Sequence, residues 1–156
     1  MPVEGLEEFE RIVREFAANL GPQQVLPLQR AITLQVLDGV VKMTPVGRRE
    51  LWAANIKRAE RGLPPLPEGY IGGHARANWQ VTVGGVPIDT VDAVDAGGGA
   101  TIEKGLAAIA PLQPFGVAFV TNNVAYIEEL EDGHSTQAPE GMAAKTLERV
   151  RAQFEG

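Results

Sequence analysis

The sequence predicts an α+β fold: a small antiparallel sheet packed against several helices, with long N-terminal helices and a C-terminal helix. Three observations carry this reading. Apolar residues recur at helical spacing through the first part of the chain. The period falls to two at Trp79, Val81 and Val83. A second β-branched run, Val117 to Thr121, returns only after another helical stretch, so the strands are few and far apart in sequence.

In chain order, Leu6, Phe9, Ile12, Val13, Phe16, Ala17 and Leu20 predict an amphipathic helix over 5–20, ended by Gly21-Pro22. A second helix opens near Pro27, which a first turn tolerates, and presents Leu28, Ile32, Val36, Val40 and Met43 on one face. It stops at Thr44, because the residue before Pro45 is pushed out of the α region. A shorter helix is expected over 48–61, with Leu51, Trp52, Ile56 and Ala59 inward and Gly62 ending it. The Pro- and Gly-rich run LPPLPEGYIGG is loop or extended arm, and His74 is placed in its glycine-rich end. The first strand ends at Gly84-Gly85, and residues 86–100 read as a flexible excursion. Thr101 is expected to cap a helix reaching about Ala110. After the second strand come a short helix from Ala125 to Asp132 with Gly133 as its C-cap, then a last helix opened by Pro139. That helix buries Ala143, Leu147, Val150 and Phe154.

A length of 156 residues implies one domain over 1–156, large enough for a core without metal or disulfide. The chain has no cysteine, which removes a disulfide frame, a thiolate nucleophile and a cysteine zinc site. No stretch has the roughly 20 apolar residues of a membrane helix, and the acidic N-terminus lacks a signal-peptide core, so no membrane association or conventional secretion is expected. A formal net charge of −6 disfavours a general nucleic-acid binder. The charge is uneven, though: Lys42, Arg48, Arg49, Lys57, Arg58 and Arg61 crowd 42–61, whereas seven acids fall between 125 and 156. Such asymmetry suits head-to-tail self-complementarity, or simply two solvated helix faces.

The residues that could do chemistry are poorly arranged for it. Ser135 is the only serine, and His134 beside it in an extended loop points elsewhere. Asp89, Asp92 and Asp95 are spaced by three, unlike a calcium loop. GGGAT at 97–101 lacks the Gly-Lys-Ser/Thr of a phosphate loop. Glu128, Glu129, Glu131 and Asp132 share one short turn and read as a solvated acidic rim, not a glycosidase pair. No enzyme and no cofactor are expected.

Four stretches carry a resemblance. They are "KMTPVG" at 42–47, "YIGGHARANWQVTVG" at 70–84, "VDAGGGATIEKGLAAI" at 94–109 and "TNNVAYIEELEDGHSTQAPEGM" at 121–142. In this order they resemble the tail-completion, or neck, proteins of long-tailed bacteriophages, a family similar to phage lambda minor tail protein Z. The chain departs from the family pattern in a basic insertion at about 48–68. The resemblance implies a structural protein of the virion head–tail junction, made in the host cytoplasm. It would form a ring, hexamer or dodecamer, which contacts other neck and tail proteins and lets genomic DNA pass without specific binding. Its working parts would be assembly surfaces rather than catalytic residues: Arg48, Arg49 and Arg58 on the basic side, with Tyr126, Glu128, Glu131, Gly133, Gln137, Ala138 and Pro139 on the acidic side. Two other classes stay open, a small phage-encoded cell-wall hydrolase and a cytosolic adaptor that forms no ring.

Overall fold

The computed structural model describes residues 3–47, 53–64 and 72–155. Among them are seven helices and two strands: α1 (Leu6–Ala17), α2 (Pro22–Met43), α3 (Ala53–Glu60), α4 (His74–Ala77), β1 (Trp79–Val83), α5 (Gly99–Ala108), β2 (Ala118–Asn122), α6 (Ile127–Glu131) and α7 (Ala143–Ala152). This is the expected α+β arrangement. The two strands pair antiparallel in the register Trp79↔Asn122, Val81↔Val120 and Val83↔Ala118. Leu51, Trp52, Arg48 and Arg49 lie outside the described residues.

α2 is the central element, and it starts earlier than Pro27. Pro22 occupies the first turn, where its missing N–H is no loss, and the Gln24 side chain accepts the Gly21 N–H at 3.2 Å. Pro27 is carried inside the helix, near its start. The stop is where Pro45 puts it: Thr44 leaves the helix at φ −65 and ψ 126. The buried side chains of α2 are Val25, Leu37, Val40 and Val41, while Leu28, Ile32, Val36 and Met43 are half-buried. The single face expected from periodicity is spread because α2 packs on the sheet and α5 on one side and on α7 on another. The core gathers Leu37, Val41, Val81, Ile109 and Leu112, flanked by Trp79, Val83, Ile102 and Val120. Each fully buried aliphatic chain of this kind contributes about 1.5–3 kcal/mol.

Several boundaries differ from the sequence reading. His74 belongs to the four-residue α4, not to a loop; Gly73 at φ +107 makes the turn into it. Two expected helix openings are also corrected: α5 is capped from Asp95 rather than Thr101, and α7 begins at Ala143, four residues past Pro139. Ile56 and Ala59, expected to face inward, are exposed. The excursion after β1 has no regular structure but is tied down. The Asn78 amide brackets Val91, donating to its carbonyl at 3.0 Å and accepting its N–H at 2.6 Å. Gln80 donates to the Asp89 carbonyl at 2.8 Å, and Asn123 donates to the Pro87 carbonyl at 2.8 Å. Gln80 and Thr121 are register partners on the face opposite the core, so the excursion lies over the outer side of the sheet.

α2 and α7 approach closely at Gly39, where an added Cβ would sit 2.5 Å from the Thr146 methyl. Gly39→Ala is expected to destabilise the protein by about 1–3 kcal/mol, the usual cost of overpacking. Most of that cost should vanish in a Thr146→Ala background, because the colliding atoms are gone. Urea denaturation of the two single variants and the double variant checks this; additive losses would place the two helices farther apart.

Candidate functional site

A helix leaves its last carbonyls without intrahelical partners. The last turn of α2 ends in the core, where Thr44 is fully buried. Arg76, carried on α4, answers this need. Its Nη2 donates to the Thr44 carbonyl at 2.7 Å and the Lys42 carbonyl at 3.2 Å, and its Nη1 donates to the Ala96 carbonyl at 2.5 Å. Burial lowers the Arg76 pKa from its ordinary value, and the nearby Asp95 charge opposes that fall. The Thr44 hydroxyl accepts the Trp79 indole N–H at 2.7 Å, tying the strand to the same helix end.

Asp95 serves α5 from outside the helix. Its carboxylate accepts the Gly98 N–H at 2.9 Å, the Thr101 N–H at 2.8 Å and the Thr101 hydroxyl at 2.7 Å. Burial works against its charge. The hydrogen bonds from Thr101 and Gly98, with Arg76 nearby, outweigh burial and hold the carboxyl below its ordinary pKa. Asp95 is therefore an anchor inside the stretch that the sequence reads as a flexible excursion.

The segment from α6 to α7 holds most of the expected assembly residues. Glu131 closes the N-terminus of α7. Its Oε2 accepts the N–H groups of Met142 and Ala143, both at 2.9 Å, and its Oε1 accepts that of Ala144 at 3.0 Å. A carboxylate at this end also meets the positive pole of the helix. Glu131 is thus a cap rather than part of a free acidic rim. The Gln137 amide grips the backbone at Val46, accepting its N–H at 3.1 Å and donating to its carbonyl at 3.0 Å. Gly133, at φ +84, does end the preceding turn. It also passes so close to the Pro139 carbonyl that a Cβ would collide with it. Ala138 is buried, so it lies under the loop and not on a docking surface.

The remaining expected residues divide differently. Tyr126, Glu128 and Pro139 are exposed on or beside this segment. Arg58, on α3, is half-buried and donates from Nε to the Pro64 carbonyl at 2.6 Å. The Ser135 hydroxyl accepts the Gln137 N–H at 3.2 Å, which shapes the loop. Below the loop, a cleft of about 490 Å³ is lined by Met43, Gln137, Pro139, Lys145, Glu148 and Arg149. Lys145 reaches Glu140 and Glu148, each at 3.1 Å, so these charges answer one another. Among the described residues no three His, Asp or Glu side chains gather as a metal site.

Sequence reasoning missed Arg76, Asn78 and Asp95. Only Asp95 left a local signal, an acid three residues ahead of the glycine that precedes a helix. Arg76 and Asn78 act on backbone groups brought close by the fold.

Glu131→Ala is expected to cost about 1–2 kcal/mol, the range of a lost helix cap, and the more exposed Gln137→Ala about 0.5–1 kcal/mol, each with a lower thermal midpoint. A pure interface role would leave the midpoint of the isolated chain unchanged. Asp95 adds a pH signature. Its folded pKa is lowered, so its contribution is complete above the ordinary carboxylate range and is lost as pH falls through the folded value. Asp95→Asn should therefore be less stable than wild type by about 1 kcal/mol at neutral pH. The two melting curves should converge in acid.

Comparison with protein-family models, with curated proteins and with solved structures returned no match.

Proposed function

We propose that this chain is a structural virion protein of the head–tail junction of a long-tailed bacteriophage. It assembles into a ring in the host cytoplasm, joins tail to DNA-filled head with other neck and tail proteins, and carries no catalytic or cofactor site. What supports this reading is the resemblance of four stretches, in order, between 42 and 142, which in this chain build one framework. Arg76 of the second stretch binds Lys42 and Thr44 of the first and Ala96 of the third. Gln137 of the fourth grips Val46 of the first, and Asn122 of the fourth donates to the Ala75 carbonyl of the second at 2.8 Å.

The charge balance points the same way. A net charge of −6 keeps a ring from gripping the phosphates that pass through it. Ring closure needs two different patches on each copy.

In a phage that encodes this chain, deleting it should yield full heads and separate tails, and immunogold label should sit at the junction of intact virions. His134→Ala and Ser135→Ala should still form plaques. Electron microscopy of the deletion lysate decides the matter: normally joined particles would overturn the junction reading. Loss of infectivity from Ser135→Ala alone, with particles joined, would favour an enzyme.

A further inference from the structure

α3 is a helix whose end is built by local chemistry but whose described apolar side chains stay half exposed. Gly62 turns the chain at φ +68, its N–H donates to the Ala59 carbonyl at 3.0 Å, and the Leu63 N–H donates to the Arg58 carbonyl at 2.8 Å. This pair of bonds is the Schellman ending of a helix. Ile56 on the helix and Leu63 just past its end are nevertheless 46% and 45% exposed. Eight residues of the helix are described, and a helix of a few turns needs packing to persist in water. Covering these side chains is what would stabilise it.

α1 presents a counterpart. Leu6, Phe9, Val13 and Phe16 form a stripe along it, and none of its residues is fully buried. It packs along α7, with the Phe16 ring edge-on to Phe154 at 5.0 Å, yet Leu6 and Phe16 remain 40% and 50% exposed. The charges of the two helices are opposite. Around α3, Lys57, Arg58 and Arg61 stand against Glu60; along α1, four glutamates stand against Arg11 and Arg14. Arg11 holds Glu8 and Glu15 at 2.7 and 2.8 Å, which leaves Glu7 and Glu10 as exposed acids on the flank next to Leu6. Lys57 and Arg61, four residues apart, form the matching exposed flank of α3.

We propose that α3 of one copy docks on α1 of a second copy of this chain. Ile56 and Leu63 cover the Leu6–Phe16 stripe, while Lys57 and Arg61 face Glu7 and Glu10. Two amphipathic helices, each half covered, bury apolar area on both sides, and the charged flanks set partner and direction. Because the patches differ, the contact is heterologous and repeats from copy to copy. It rests on the ring-forming reading above only for the expectation that the repeat closes.

Self-association of the full chain, followed by sedimentation velocity from low to high salt, tests this contact. Wild type should associate, more tightly at low salt, where screening is least. Lys57→Glu with Arg61→Glu, or Glu7→Lys with Glu10→Lys, should each weaken association about tenfold at low salt, as expected for two lost exposed pairs turned repulsive. The chain carrying all four changes should recover, because the charges are again opposite. Circular dichroism of each variant confirms that the fold is kept. A wild type that stays monomeric at low salt, reversals without effect, or a four-change chain that fails to recover would each overturn the contact. If wild type forms rings that the reversals leave intact, the junction reading survives and this interface does not. If the charge swap behaves as described but the protein is missing from virions, the reverse holds.

Discussion

The structure depends on finishing α2 inside the protein rather than at its surface. Thr44 is fully buried, and the last carbonyls of a helix have no intrahelical partners. One guanidinium, Arg76, meets the Lys42 and Thr44 carbonyls and reaches on to Ala96. A cation at a helix C-terminus also faces the negative end of the helix dipole. Because Arg76 stands on α4, satisfying α2 fixes where α4 ends and β1 begins. The bond from Trp79 to Thr44 then sets the first residue of the strand against the same helix end.

The other helix ends are treated with the opposite sign. Asp95 closes the start of α5 and Glu131 closes the start of α7, each accepting backbone N–H groups where the dipole favours an anion. Three side chains that look like surface or site charges in the sequence are thus consumed by helix termini. The loop from Gly133 to Met142 follows from this: with Glu131 bound to α7 and Gln137 bound to Val46, its ends are fixed on its own chain. Its shape is a consequence of intramolecular packing. Among the described residues, large apolar side chains stay exposed on α1, α3 and α5, at Leu6, Phe16, Ile56 and Leu106.

What the sequence determined by itself is what local chemistry controls. The identity and order of most elements came from periodicity, the stop of α2 from the residue before Pro45, the extent of β1 from alternation and Gly84-Gly85, and the end of α6 from Gly133. Each depends on backbone preferences of a few neighbouring residues. Tertiary structure decided the rest. The buried face of α2 is divided because different elements lie on its two sides, and Ile56 stays exposed because a helical stripe alone does not say whether anything covers it. The roles of Arg76, Gln137 and Glu131 depend on backbone groups 11 to 91 residues away. A hydrogen bond is specified by the position of both partners in space, and the residue type in the sequence names only one of them.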